Sequence, residues 1–203
     1  MLLTIRQVKK SKKIIFILLL SPSFYWSINF YLGKMGVNPV DALIRDFGEF
    51  SLILIIVTLS ITPISKIKSL KNFQILRRMF GLFSFFYVCL HLTSYVFLDH
   101  FFNWEFILKD IYKRPFITFG FLSFILLIPL AITSNNKSVR KLKYKVWKNI
   151  HRIIYPVSIL GGFHYFLLTK SDKTEPLIYL MIIFFLLIFR IVYFFSKKLS
   201  SPK

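Results

Sequence analysis

The sequence has 203 residues, of which 56% are apolar, with 28 basic and 8 acidic side chains and a formal net charge of +20. Soluble domains average about 45–50% apolar residues, so a chain of this size cannot bury the excess in one water-soluble core. A membrane protein with several spans is therefore predicted. The single cysteine, Cys89, excludes a disulfide scaffold, and the apolar content excludes intrinsic disorder.

Six segments resemble membrane-spanning helices, which need roughly 20 mostly apolar residues. In chain order they are Ile14–Gly33, Phe50–Ser65, Met79–Leu98, Pro115–Asn136, Ile153–Thr169 and Pro176–Ser196. We predict an all-α membrane protein, a six-transmembrane-helix bundle over residues 14–196, between a basic leader (1–13) and a tail (197–203). No cleavage site follows the first span, so we expect that span to remain as an anchor.

The distribution of charge predicts the orientation of this bundle. The leader, the loop 66–78, the segment 137–152 and the end of the chain hold most of the basic residues and no acid, whereas all eight acids lie in the other connections. Basic loops remain on the cytoplasmic side, so both termini are predicted to be cytoplasmic. On this interpretation the high positive charge sets the orientation of the protein in the membrane and attracts anionic lipids. A nucleic-acid partner is not expected, because no soluble basic module is present.

The segment 138–154 has apolar residues at helical spacing and basic residues on its other face. This pattern predicts an interfacial amphipathic helix before the fifth span. The sequence shows no internal repeat, no nucleophile motif, no phosphate-binding glycine loop and no zinc-type cluster of cysteine and histidine.

His91 and His164 lie well inside two predicted spans, where ionisable residues are rare and indicate function. At 1.5 Å per residue, His91 lies about 18 Å along the third span and His164 about 17 Å along the fifth. Two imidazoles at matched depth suit the axial positions of one heme iron. An alternative is that each histidine only bonds neighbouring helices together. Aromatic residues that can form a porphyrin slot are Phe83, Phe86, Tyr87, Tyr95, Phe163 and Tyr165.

A second pair of residues repeats this spacing closer to the cytoplasmic surface. His151 precedes His164 by the same 13 residues by which Arg78 precedes His91. We expect His151 and Arg78 to face each other about 20 Å below the upper pair. The alternatives are interfacial charge for His151 and a topology signal for Arg77 and Arg78.

Several segments spread over residues 30–196 resemble one family, the heme-binding membrane subunit of the bacterial protein-methionine-sulfoxide reductase system, also called MsrQ or YedZ. That family is grouped with the ferric-reductase-like transmembrane domains. The segments that carry the resemblance are 36–43 (GVNPVDAL), 77–83 (RRMFGLF), 113–120 (KRPFITFG), 129–134 (PLAITS) and 147–155 (WKNIHRIIY), with His164-Tyr downstream.

The resemblance implies an electron-transfer subunit of the bacterial inner membrane, not a complete enzyme, with heme b and FMN as cofactors. It would pass electrons to a periplasmic molybdopterin-dependent enzyme that reduces methionine sulfoxide in oxidised proteins. Its heme-linked histidines would be His91, His151 and His164. The chain departs from the wider group at Arg78, where a histidine is expected. Three possibilities follow: a single heme, a different lower ligand set, or a flavin with Arg77 and Arg78 near its phosphate.

No soluble flavin domain follows the sixth span in this sequence, so electrons are expected from membrane quinol or from a separate cytoplasmic flavin reductase. The connection Leu98–Arg114 is the expected docking surface for the periplasmic partner. Two alternatives remain open, a transmembrane metal-ion reductase subunit and a cofactor-free six-helix transporter or assembly factor.

Overall fold

A computed structural model describes residues 4–199, and within that range the chain is helical without any strand. The predicted all-α fold is therefore confirmed. The α-helices are α1 (Ile5–Tyr31), α2 (Pro39–Ile64), α3 (Arg77–Ser94), α4 (Trp104–Lys113), α5 (Pro115–Ile132), α6 (Asn136–Ile150), α7 (Ile154–Leu168) and α8 (Thr174–Leu199). Two 3-10 segments, Lys68–Leu76 and His151–Ile153, precede α3 and α7, and a π turn, Tyr95–Asp99, follows α3.

Local capping explains where several helices begin. The Thr4 side chain accepts a hydrogen bond from the Gln7 amide and forms a capping box at the start of α1. Asn38, Asn103 and Asn135 cap α2, α4 and α6 in the same way, with the side-chain oxygen accepting from a first-turn amide. Because Asn38 is followed by Pro39 at the first helical position, α2 begins eleven residues before the predicted second span.

The observed helices differ from the predicted spans in number and length. Within the described residues, five helical segments are long and apolar enough to cross a membrane: Ile5–Tyr31, Pro39–Ile64, Lys68–Asp99, Pro115–Ile132 and Thr174–Ser196. The helix in place of the predicted fifth span, α7, has only 15 residues, or about 22 Å against a hydrocarbon core of about 30 Å. Six spans and cytoplasmic termini therefore stay predictions. The leader is also helical from Ile5 onward, and the tail beyond Leu199 lies outside the described residues.

Two further departures concern the connections. The acids Asp46 and Glu49, expected in a loop, lie in the first turns of α2. The connection Leu98–Arg114 contains the helix α4, which the sequence analysis does not predict. The amphipathic helix is found as α6, but it is interrupted at Lys143, where φ is 58°, and it ends at Ile150.

The helices pack around two apolar clusters. The first joins α2, α5, α7 and α8 through Leu59, Leu127, Val157 and Leu186. The second holds α1 against α2 and α3 through Leu19, Phe47, Phe83 and Tyr87. Large apolar side chains remain exposed along α1 and α8, as expected for surfaces that face lipid or another protein.

Two helix pairs are joined at matching positions by a hydrogen bond from a serine to a carbonyl, which runs in opposite directions in the two pairs. In the pair of α2 and α3, the Ser84 hydroxyl donates to the carbonyl of Ser51 at 3.1 Å. In the pair of α5 and α7, the Ser123 hydroxyl donates to the carbonyl of Val157 at 3.2 Å. Ser84 and Val157 each lie seven residues before a half-buried histidine, His91 or His164, so the two pairs are equivalent halves. No repeat is evident in the sequence, because the pattern Phe-Gly-x-x-Ser shared by 47–51 and 119–123 also occurs at 80–84, outside this correspondence.

The bundle has two chemically different ends. The basic end holds Arg77, Arg78, Arg190 and α6, and the Arg190 guanidinium donates to the Leu59 carbonyl there at 2.5 Å. The acidic end holds the first turns of α2, the helix α4 and the start of α8. There the Tyr179 hydroxyl of α8 donates to Glu49 of α2 at 3.0 Å and links the two helices.

Candidate functional site

A cavity of about 400 Å³ lies between α2, α3, α4, α5 and α7. Its volume falls within the range of about 300–1,000 Å³ that is typical of small-molecule and cofactor sites. Most of its wall is apolar, with Leu52, Ile55, Val88, Ile117 and Phe124 among the lining residues. Such a wall excludes water and gives a low local dielectric constant. Both His91 and His164 line this cavity.

His91 is held from α3 against the backbone of α2. Its Nδ1 atom lies 2.8 Å from the carbonyl oxygen of Ile44, so Nδ1 carries the proton and donates it to that carbonyl. One turn further along α2 is Gly48, and a Cβ at that position would lie 2.7 Å from Nδ1 of His91. The imidazole therefore rests directly on the helix backbone, where only glycine leaves room.

His164 is held in the same way by the second helix pair. Its Nδ1 atom donates to the carbonyl oxygen of Phe116 on α5 at 2.6 Å. A Cβ on Gly120, one turn further along α5, would lie 2.8 Å from that Nδ1 atom. The two histidines are thus equivalent members of the two halves, each with its tautomer set by a main-chain acceptor.

The two rings face one another across the cavity. Their centroids are 6.0 Å apart and their planes are inclined at 82°. With Nδ1 of each ring occupied, Nε2 is the remaining nitrogen, and no hydrogen bond to either Nε2 occurs among residues 4–199. A metal bound between two imidazoles lies about 2 Å from each nitrogen, and each nitrogen lies roughly 1 Å from its ring centre. Two rings that share one metal therefore have centroids about 6 Å apart, which is the separation of His91 and His164. A donated Nδ1 proton and a free Nε2 are typical of a metal-ligating histidine.

A bare metal ion fits this arrangement poorly. Within the described part of the chain, no group of three or more histidine, cysteine, aspartate or glutamate side chains is placed to hold a metal ion. Two facing imidazoles supply only two ligands, and a heme iron takes its other four from the porphyrin. The donor set therefore fits a heme better than a protein-ligated ion.

The expected aromatic slot is only partly correct. Tyr95 and Tyr165 line the cavity. Phe83 and Tyr87 instead pack against α1, where the Tyr87 hydroxyl donates to the Leu19 carbonyl at 2.7 Å. Phe86 and Phe163 are exposed on the outside of the bundle. The helical period explains part of the error, because Phe86, five residues before His91, and Phe163, next to His164, lie on other faces of their helices. Tyr87 is one turn from His91, but its hydroxyl is bonded to α1 instead.

Polar groups gather where the cavity meets the acidic end. Arg45, Glu49 and Tyr165 line it there, together with Trp104 of α4. Trp104 is also 59% exposed, so one side chain reaches from the cavity wall to the surface of the protein.

A second polar network lies beside Trp104. Asp110 of α4 is buried, accepts a hydrogen bond from Tyr95 at 3.2 Å, and pairs with Arg114 at 3.2 Å. These contacts hold α4 over the cavity.

His151 does not lie in the cavity. Its Nε2 atom is 3.1 Å from the hydroxyl of Thr133, and its ring packs on Trp147 with centroids 4.1 Å apart. Arg77 and Arg78 lie close enough to act on it electrostatically. Burial, together with these two positive charges, lowers the pKa of His151 to about 4. Arg78 itself is exposed and donates to Asn136 at 2.7 Å.

Four parts of this site are not among the residues predicted from the sequence: Gly48, Gly120 and the main-chain carbonyls of Ile44 and Phe116. The carbonyls have no sequence signal, because every residue carries one. The glycines lie in the pattern Phe-Gly-x-x-Ser, but the same pattern occurs at 80–84, where Gly81 touches no imidazole, so the pattern does not single them out.

Comparison with known proteins gives a consistent set of relatives. A family described as "Ferric reductase like transmembrane component" matches residues 47–162, more than half of the chain. The chain is 47% identical to the protein-methionine-sulfoxide reductase heme-binding subunit MsrQ of Caulobacter vibrioides, with 79% of this chain and 77% of that protein covered. Subunits of the same description from Rhodospirillum rubrum and Herminiimonas arsenicoxydans are 44% and 40% identical, covering 88% and 95% of this chain and 86% and 89% of their own lengths.

Proposed function

The chain belongs to the MsrQ family of ferric-reductase-like transmembrane proteins, and on that premise we propose that it is a heme-binding electron-transfer subunit of a methionine sulfoxide reductase system. One observation carries the proposal. Two imidazoles from separate helices face each other 6.0 Å apart, each with Nδ1 bonded to a main-chain carbonyl and Nε2 directed to no protein partner among the described residues.

His91 and His164 are the proposed axial ligands. When bound, heme supplies one-electron chemistry at its iron. The chain's own residues hold and orient the ligands: the carbonyls of Ile44 and Phe116 keep both rings in one tautomer with Nε2 available. The apolar wall of the cavity excludes water, which favours a buried redox group that carries little net charge.

The acidic end is the proposed exit for electrons. Trp104 spans from the cavity wall to the surface, and α4 closes that end of the cavity. We place this end on the periplasmic side of the inner membrane, in line with the basic residues at the other end. The partner there would be a periplasmic molybdopterin-dependent enzyme that reduces methionine sulfoxide in proteins, docking on the connection 98–114.

The basic end is the proposed entry for electrons. Arg77, Arg78 and Arg190 give it uncompensated positive charge, and all four of the basic segments lack acids. Such a surface suits a phosphate-bearing flavin, either FMN bound to this chain or the flavin of a cytoplasmic reductase. Membrane quinol is the other proposed donor. His151 keeps its Nε2 on Thr133, so a second heme there would need that contact to break.

The proposal is tested by the visible spectrum of the purified protein before and after dithionite. We expect a reduced b-type band in the wild type and at least about a tenfold loss of bound heme in His91→Ala and His164→Ala, because each loses one of the two axial ligands. His100→Ala is the matched control. Its ring pairs with Asp99 and Asp110 and does not line the cavity, so this variant should keep most of its heme.

Two results would contradict the proposal. A colourless protein after heme-supplemented expression would favour a cofactor-free transporter or assembly factor. A heme-loaded protein that reduces soluble ferric chelates at full rate without the periplasmic enzyme would favour a metal-ion reductase.

A further inference from the structure

We propose that Gly48 and Gly120 are positioning residues that set the orientation of the two ligand imidazoles. This inference rests on the proposed function, since it assigns these glycines a role toward the heme that His91 and His164 would hold. It is carried by a different observation, the distance at which each imidazole lies against the backbone of a neighbouring helix.

The clearance at each glycine is too small for any side chain. A Cβ on Gly48 would lie 2.7 Å from Nδ1 and 3.0 Å from Cε1 of His91. A Cβ on Gly120 would lie 2.8 Å from Nδ1 and 2.9 Å from Cε1 of His164. Carbon atoms in contact prefer about 3.5–4.0 Å, so alanine at either position would displace the ring.

Backbone geometry does not explain these glycines. Both lie inside α-helices, and neither has a positive φ, unlike Gly33 and Gly36. Glycine is a poor helix former and weakens a helix relative to alanine. Two helices nevertheless carry it at equivalent positions, four residues after the carbonyl to which the ring is bonded. What the two positions share is close contact with an imidazole, and a requirement of the helix itself does not account for either glycine.

The carbonyl and the glycine together fix the plane of each ring. The Nδ1 bond to Ile44 or Phe116 sets where the ring points, and the open glycine surface sets how it lies against the helix. The two planes end up 82° apart. Axial imidazoles that are nearly perpendicular leave two iron d orbitals close in energy. A low-spin ferric heme held in this way gives a highly anisotropic electron paramagnetic resonance (EPR) signal with a large maximum g value.

The chain supplies two matched controls. Gly81 lies on α3 with His91, and a Cβ there would meet only Thr58 at 3.7 Å, an ordinary contact. Gly162 lies two residues before His164, and a Cβ there would lie 2.6 Å from Leu180 Cδ2. Gly162→Ala therefore adds a tighter clash than either proposed residue without touching an imidazole.

The experiment compares heme content, ferric EPR signal and unfolding temperature in the wild type and the alanine variants of these four glycines. We expect Gly48→Ala and Gly120→Ala to bind heme about 10–100-fold more weakly, as for other lost outer contacts of metal-ligating histidines. The heme they retain should lose the large-g signal. Gly81→Ala should match the wild type, and Gly162→Ala should unfold at a lower temperature while keeping the wild-type EPR signal.

Heme-free protein separates positioning from folding. Without heme the imidazole can rotate into the cavity, so Gly48→Ala and Gly120→Ala should unfold at or above the wild-type temperature. Lower unfolding temperatures of these heme-free variants would overturn the inference, as would an unchanged large-g signal in both loaded variants. A wild type that binds no heme would instead remove the proposed function, and this inference with it.

Discussion

The two ends of the bundle hold their histidines in opposite ways. At the cavity, His91 and His164 each use Nδ1 to bond a main-chain carbonyl, which leaves Nε2 without a hydrogen-bond partner among the described residues. Near the basic end, His151 uses Nε2 to bond Thr133, and Trp147 covers its ring. The same residue type at matched sequence spacing is therefore prepared for a metal in one place and engaged by protein in the other.

The difference shows which neighbour decides the role of a histidine. A main-chain carbonyl cannot donate a hydrogen bond, so it forces the ring nitrogen opposite it to carry the proton. The Thr133 hydroxyl donates its one proton to the Pro129 carbonyl at 2.6 Å, so it accepts from His151, whose proton then lies on Nε2. We therefore expect one heme held by His91 and His164, with His151 outside its ligand set.

The largest expected effect separates His164 from His151. His164→Ala should lose at least about tenfold in bound heme, because it removes an axial ligand. His151→Ala should keep at least about half of the heme per protein, with the reduced spectrum of the cavity heme unchanged. The measurement is heme content by pyridine hemochrome assay against protein concentration. A loss of nearly all heme in His151→Ala would mean that His151 also holds heme, and that the two ends do not differ in the way described.

Much of this arrangement was predictable from the sequence. Span hydrophobicity and charge asymmetry predict a helical membrane bundle, and residue counting along the spans predicts that His91 and His164 lie at the same depth. The bounds of α7 agree with the predicted fifth span to within one residue at each end. The 3-10 segment His151–Ile153 before it, and the contacts of His151 with Thr133 and Trp147, were not predictable, because they are tertiary features.

The glycine contacts were also beyond reach of residue patterns. A glycine in a predicted span usually marks a weak point of the helix or a close approach to another helix. That Gly48 and Gly120 each face an imidazole depends on the register between α2 and α3 and between α5 and α7. Register is a tertiary property, and a single sequence contains no measurement of it.

A smaller effect concerns the pH dependence of stability at the basic end. His151 has its pKa lowered to about 4, whereas its ordinary value is 6.5. Between these values the unfolded chain binds a proton that the folded chain does not, so the free energy of unfolding falls as the pH drops from 6.5 towards 4. The side chain is partly exposed to solvent, and screening limits the loss to on the order of 1 kcal/mol.

His151→Gln tests this dependence, since glutamine can still bond Thr133 but has no titration in that range. Chemical unfolding at pH 7 and pH 5 should show a smaller drop in the variant than in the wild type. An equal drop in both proteins would mean that protonation of His151 does not limit stability, and that the ring is less enclosed than its contact with Trp147 indicates.

The smallest expected effect concerns Arg78, at the position where the sequence resemblance leads one to expect a histidine. Its exposed hydrogen bond to Asn136 contributes little, so Arg78→Ala should change the free energy of unfolding by no more than about 0.5 kcal/mol and leave heme content unchanged. The positive charge of Arg78 should have a larger effect on the rate at which an anionic electron donor reduces the heme. Stopped-flow reduction of the bound heme by reduced FMN should slow about threefold at low salt and much less at high salt, because ions screen the attraction. If the rate stayed the same at low salt, the basic end would not attract the flavin, and quinol would become the favoured donor.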